Sequence, residues 1–148
     1  MDKKTIVFTY GAFDCFHEGH LILLERAKAL GDTLIVAIVS DFAINLMKGD
    51  PKPIQKQGER MRIVGALKCV DMVVPMECYD DAKETIQTLE KQGFTINILC
   101  KGKEPGWQYT PGWEYIVKNG GQFIQPEYTE GFSTSAMIKK IKGEVSIL

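Results

Sequence analysis

Apolar residues recur along the chain in two alternating rhythms. KTIVFTYG, residues 4–11, is a β-branched and aromatic run closed by glycine, which predicts a strand. HLILLERAKALG follows at helical spacing: Leu23, Leu24, Ala27 and Leu30 share one face, Glu25, Arg26 and Lys28 lie opposite, and Gly31 stops it. DTLIVAIVSD is apolar on both faces, as in a strand buried within a parallel sheet. FAINLMKG predicts a short helix, and DPKPIQKQG an exposed, turn-rich stretch. ERMRIVGALKCV reads as a second long helix, DMVVP as a short strand, DDAKETIQTLEKQG as a third helix and FTINILCKG as another apolar strand. Turn signals in KEPGWQYTPGWEYIVKNGG precede a short helix; QFIQP is a brief strand, and STSAMIKKIK a last helix opened by hydroxyl residues.

Strands that alternate with helices predict an α/β, Rossmann-like three-layer fold, with a parallel sheet of about five strands flanked by helices and right-handed crossovers. The length fits one domain over residues 1–148. Ligands of such sheets bind outside the C-terminal ends of the strands. That directs attention to four loops, Gly11–His20, Ser40–Lys56, Cys100–Trp107 and Glu127–Ser135, where every unusual cluster falls.

Composition changes this picture mainly by exclusion. The net charge of −1 removes a global basic field for nucleic acid, leaving Lys48–Lys56 and Lys139–Lys142 as local basic stretches. No apolar run has the length of a membrane span, and the N-terminal run reads as a strand rather than a signal peptide. Cys15, Cys69, Cys78 and Cys100 form no C-x-x-C pair, so they read as small buried hydrophobes in a reducing cytoplasm.

The chemistry starts at GAFDCFHEGH, Gly11 to His20. His17 and His20 fall at a helix start, where free N–H groups and the positive dipole end favour an anion. Gly11 and Gly19 let the backbone approach it. A zinc site would need further ligands, for which Asp14 and Glu18 are the neighbours at hand. The alternative is one packed and one exposed histidine. GFSTS, Gly131 to Ser135, is a second candidate anion nest; its plainer reading is a helix capped by Ser133. Capping needs one hydroxyl, and Ser133, Thr134 and Ser135 supply a run of them.

TYGAFDCFHEGHLILLERAKALGDTLIVAIVSD, continued by MKGDPKPIQKQGERMRIVGALKCVDMVVP, LCKGKEPGW and TEGFSTSAMI, resembles the HxGH nucleotidyltransferase superfamily. Within it, the chain is similar to the cytidylyltransferase-like family. That family holds glycerol-3-phosphate and phosphoethanolamine cytidylyltransferases, the adenylyltransferase domain of ADP-heptose synthesis and archaeal FAD synthases. The likeness covers nearly the whole chain. It implies attack of a substrate phosphate on the α-phosphate of a nucleoside triphosphate, with release of pyrophosphate. His17, His20 and Lys48 would be catalytic, the histidines stabilising charge at the α-phosphate and Lys48 reaching the triphosphate from the segment after the second strand. Tyr10, Gly11, Ala12, Phe13 and Gly19 would lie along the nucleotide. Lys52, Lys68 and Gly102 would add contacts, and Thr129, Gly131, Ser133, Thr134 and Ser135 would grip the β- and γ-phosphates. Asp14 would orient the first loop, and Arg60, of an "ER" signature, would serve the structure or a dimer interface. The resemblance also implies Mg²⁺ carried mainly by phosphate oxygens, and a homodimer.

Two departures bear on the substrate. The family's arginine before the last helix is replaced by Tyr128, and its "G-D-D-W"-like loop reads KGKEPGW. Trp107, Tyr109 and Trp113 between the turns would wall a base or acceptor pocket, or form a small surface core. TYGAFD and TEGFSTS are closer to the cytidylyl branch, whereas KG and NGG are closer to the ADP-heptose branch. The balance favours CTP with glycerol 3-phosphate or another polyol or alcohol phosphate. The alternatives are an ATP-dependent adenylyltransferase acting on a heptose phosphate or FMN, and a non-catalytic nucleotide-binding module.

Overall fold

The computed structural model describes residues 3–104, 106–127, 131 and 133–144. Five strands form one wholly parallel sheet: β1 (Ile6–Gly11), β2 (Thr33–Val39), β3 (Met72–Met76), β4 (Ile98–Cys100) and β5 (Gln122–Ile124). Their spatial order is β3-β2-β1-β4-β5. Ile6 pairs with Thr33 at one end of β1 and Gly11 with Ile38 at the other, while Val7 and Phe8 face Ile98 and Leu99 of β4. The helices are α1 (Glu18–Ala29), α2 (Asp41–Lys48), α3 (Gln57–Gly65), α4 (Ala82–Lys91), α5 (Trp113–Lys118) and α6 (Thr134–Lys142), with a 3-10 turn at Tyr79–Asp81 before α4. The predicted three-layer α/β architecture is the one observed.

The continuous apolar runs of β1 and β2 are explained by burial on both faces. Alternate residues serve different cores. Phe8, Tyr10, Ile35 and Ala37 pack toward Ile44, Ile86 and Ile116, whereas Val7, Leu34, Val36 and Ile38 pack toward Leu24, Ala27 and Val64. Helix α1 ends where Gly31 passes under β1. A Cβ there would stand 2.7 Å from the Thr5 carbonyl oxygen, so only glycine fits.

Two predicted elements are shorter than their patterns. The helix expected over ERMRIVGALKCV stops at Gly65 with Ala66 as its C-cap. From there, turns bonding the Leu67 amide to Val64 and the Val70 amide to Leu67 carry the chain to β3. Of FTINILCKG only Ile98–Cys100 pairs as strand, which leaves Lys101 just beyond the sheet.

Because β1 lies between β2 and β4, the connections after β1 and β4 leave toward opposite faces and open a crevice at their C-terminal ends. The described residues of all four loops singled out from the sequence follow the C-terminal ends of strands.

Candidate active site

The loop after β1 is held from several sides. At Gly11 a Cβ would approach the Phe13 ring to 3.0 Å, so glycine lets that ring fold back over the strand end. Phe13 and Cys15 then adopt left-handed backbone, at φ 52° and 50°. Each such residue costs about 1–3 kcal/mol and persists only when its surroundings over-determine it. Here the buried Asp14 carboxylate accepts the Ile54 amide at 2.7 Å and the Gln55 amide at 2.9 Å. Its backbone carbonyl accepts the Thr134 hydroxyl at 2.9 Å. Arg60, fully buried, donates to the Ala12 carbonyl at 2.7 Å, to the Gln55 carbonyl at 2.9 Å and to the Asp41 carboxylate at 2.7 Å. Asp14 and Arg60 thus join the first loop to the 50s segment, to α2 and to α6.

That scaffold fixes the histidines. His17 is the N-cap of α1, and its Nδ1 accepts the Gly19 amide at 3.1 Å. The His20 Nδ1 accepts the His17 amide at 3.2 Å. A backbone N–H can only donate, so both Nδ1 atoms are bare and each neutral ring carries its proton on Nε2. The two imidazoles stack, with centroids 3.8 Å apart and planes 22° from parallel. Burial, then the neighbouring His17, Lys48 and Lys101, push the His20 imidazole down to about 3, against a small upward pull from Asp14. Burial also lowers His17. Two neutral rings therefore offer paired Nε2–H donors at a helix N-terminus.

Both rings line a cavity of about 330 Å³ between the C-terminal ends of β1 and β4. Lys48 closes it from the end of α2, Arg26 from α1, and Lys101 and Lys103 from the segment after β4. Lys101 is 3% exposed and pairs with Glu104 at 2.9 Å. Its ammonium stands 5.0 Å from the centre of the Tyr10 ring and 5.6 Å from that of Trp107. The Tyr10 hydroxyl donates to the Pro111 carbonyl at 2.8 Å. A cavity ringed by cations and N–H donors is built for a polyanion.

The structure brings most of the sequence candidates to this one cavity: Tyr10, Gly11, Ala12, Phe13 and Gly19 along one wall, Gly102 beside Lys101, and Ser133–Ser135 at the start of α6. The hydroxyls have partners of their own. Ser133 caps α6 by accepting the Ala136 amide at 3.0 Å, and Thr134 is bonded to Asp14. Lys52 is half-buried and lies outside the cavity wall. Lys68 is exposed in the turn before β3, at the opposite end of the sheet, so the structure does not bring it to the site. Gly131 is exposed with open space around it. Thr129 and Tyr128 lie outside the described residues.

Lys101, Arg26 and Tyr79 were missed in the sequence. Lys101 directly follows an apolar strand and precedes a glycine, a position that the strand-end rule singles out. Arg26 falls on the face of α1 assigned to solvent, yet its guanidinium reaches the Glu127 carbonyl at 3.1 Å. Among the described residues, no group of three His, Cys, Asp or Glu side chains is placed to hold a metal ion. No helix among them is long and apolar enough to cross a membrane.

A model of cytidylyltransferase-like proteins matches residues 8–140. The chain belongs to the cytidylyltransferase-like family. It is 40% identical over 148 residues to the bifunctional protein HldE of Helicobacter pylori, a match that takes in 96% of this chain and 29% of that protein. HldE of Coxiella burnetii is 38% identical over 138 residues, with 93% and 28% covered. The chain thus spans under a third of the length of these relatives. In fold, this family member resembles the lipopolysaccharide core biosynthesis protein of Thermoplasma volcanium, with TM-score 0.70, 24% identity, 86% of this chain and 100% of that one covered. It also resembles TmcAL of Thermotoga maritima bound with alpha-thio ATP, with TM-score 0.63, 15% identity, 95% of this chain and 50% of that one covered.

Proposed function

We propose that this chain transfers an adenylyl group from ATP to the phosphate of a sugar, of the heptose phosphate class, and releases pyrophosphate. The observation that carries the transfer chemistry is the pair of stacked, Nε2-protonated imidazoles in a cavity ringed by Lys48, Lys101 and Arg26. The sequence pattern leaned toward CTP and glycerol 3-phosphate. The relatives of 38–40% identity, all named HldE, instead support the adenylyl and heptose alternative.

In this scheme an ionised phosphate oxygen of the acceptor attacks the α-phosphorus. The bond from that phosphorus to the bridging oxygen breaks, and pyrophosphate leaves with the electron pair. The nucleophile needs no general base, so the histidines serve as donors to charge that builds on the α-phosphate. Neutral donors suit the free protein, because two imidazolium rings at stacking distance would repel each other. Lys48 and Lys101 neutralise the triphosphate, and the start of α6 receives its leaving end. Magnesium would ride on phosphate oxygens and water, a fit to residues that offer cations rather than a carboxylate cage.

Pyrophosphate release from each of four nucleoside triphosphates, against a heptose phosphate, glycerol 3-phosphate and FMN, tests this reading. ATP with the heptose phosphate should give the highest kcat/KM. Preference for CTP with glycerol 3-phosphate would restore the cytidylyl reading, and silence with every pair would leave a nucleotide-binding module.

A further inference from the structure

A second cavity, of about 540 Å³, adjoins the first. It lies between α2, the Cys78–Asp80 turn and the segment Trp107–Tyr109. Tyr79 lines both cavities. Its ring meets Trp107 edge-on, with centroids 5.5 Å apart. Trp107 in turn lies under the Lys101 ammonium, which faces the first cavity. A ligand with its phosphate in the first cavity can therefore extend past Tyr79 to Trp107 in the second.

The two cavities differ in the balance of charge. The first carries four cations, Arg26, Lys48, Lys101 and Lys103, against two carboxylates, Glu104 and Glu127, whereas the only charged side chain among the described residues of the second is Asp80. A carboxylate repels phosphate and accepts hydroxyl protons. Gln108 adds an amide that donates and accepts, and Trp107 and Tyr109 add apolar ring faces. Aromatic walls with a few planar polar groups are a binding surface for a neutral, many-hydroxyl ring.

Position agrees with charge. The groove is walled by α2 and Tyr79, which follow β2 and β3 on one flank of β1, and by Trp107–Tyr109, which follow β4 on the other; Ser133–Ser135 follow β5, one strand further from α2. In an in-line displacement the entering oxygen and the leaving oxygen stand on opposite sides of phosphorus. With pyrophosphate leaving toward α6, the acceptor enters from the groove side.

We propose that this groove is the sugar subsite of the acceptor, with Trp107 as its stacking wall and Asp80 and Gln108 as its hydroxyl partners. The inference rests on the transfer of a nucleotidyl group to a sugar phosphate proposed above. It adds residues that would set the choice of acceptor.

Two measurements test it. In a Trp113→Phe protein Trp107 is the single tryptophan, since the chain has two. Titration with a heptose 1-phosphate, without nucleotide, should change its emission saturably, and inorganic phosphate should not. An equal response to inorganic phosphate, or a response to ATP alone with none to the sugar phosphate, overturns the assignment. In steady state, Asp80→Asn should raise the KM for the sugar phosphate about tenfold and leave that for ATP within about twofold, the loss of one charge-assisted hydrogen bond. Asp80 is exposed, so this variant folds; Trp107→Leu should shift the same constant in the same direction. An unchanged acceptor KM in both variants, with wild-type turnover of ATP intact, sinks the subsite and spares the activity. Failure of the activity itself shows earlier, as absence of pyrophosphate from the wild-type protein, and the fluorescence titration then decides the groove alone.

Discussion

Two loops meet at the switch point of the sheet and are built in opposite ways. The loop after β1 is bonded outward: Ala12 to Arg60, Asp14 to the Ile54 and Gln55 amides and to Thr134, and Cys15 to the Gln55 side chain. The segment after β4 is bonded to the body at its ends, through the Lys101 amide to Ile124 and the Pro111 carbonyl to Tyr10. Between those ends its described hydrogen bonds, such as the Trp107 amide to Glu104 and Lys101 to Glu104, stay inside the loop. The first loop can hold imidazoles to the small tolerances that transition-state stabilisation demands. The second can change its side chains without disturbing the first, which suits it to selectivity.

Removing the donors should break the first loop's role most severely. His17→Ala or His20→Ala should lower kcat about 10²–10³-fold, as for loss of a preorganised donor, with far-ultraviolet circular dichroism unchanged. Near-normal turnover in either would contradict the role given to the pair. The anchor comes next. Arg60→Met removes a buried guanidinium and strands the Ala12 and Gln55 carbonyls, at a cost of about 2–4 kcal/mol in urea unfolding. A cost under about 1 kcal/mol would mean that the loop is held without it.

On the second loop the effect should be smaller and fall on affinity. Lys101→Met keeps the apolar stem against Tyr10 and Trp107 and should raise the KM for ATP about tenfold, with a lesser change in kcat. The smallest effect is one of pH. The His20 imidazole is held down to about 3 in the folded chain by burial, by the neighbouring His17 and by Lys48 and Lys101, against an ordinary value of 6.5. The unfolded chain therefore binds the extra proton between those values. The contribution of His20 is full above about pH 6.5 and is lost as pH falls toward 3. Between pH 6.5 and about pH 5.5 wild type should lose about 1 kcal/mol that His20→Gln does not lose, as read from urea midpoints at both pH values.

The same contrast marks what was legible in the sequence. Strand, glycine turn and histidines at a helix start form a local pattern that points to His17 and His20, while the resemblance adds Lys48 and the α6 hydroxyls; all of them line one cavity. Gly11 was marked for close approach of an anion; in the structure the Phe13 ring also comes within 3.0 Å of where its Cβ would be. The second loop depends on long-range packing. Whether Trp107, Tyr109 and Trp113 wall a pocket or form a surface cluster is undecidable from spacing, and the answer divides them. Trp107 packs on Tyr79 and Tyr109 lines the groove, while Trp113 lies against Phe123. Lys101 escaped because FTINILCKG reads as continuous strand, so its true end at Cys100 was hidden. Lys68 was placed by resemblance; it lies in the turn that leads into β3, at the end of the sheet opposite the cavity. The buried bonds of Arg60 could not be read from its neighbours in the chain, because its partners Ala12 and Asp41 are remote in sequence.

The claim that the first loop presents two neutral Nε2–H donors to a phosphate is open to one direct measurement. The chain has only two histidines, so a long-range ¹H–¹⁵N correlation spectrum of labelled protein reports them without overlap. At pH 7 both rings should show a bare Nδ1 and a protonated Nε2, and a nonhydrolysable ATP analogue should shift both Nε2–H signals. A proton on either Nδ1, or two Nε2–H signals indifferent to saturating analogue, would contradict the account.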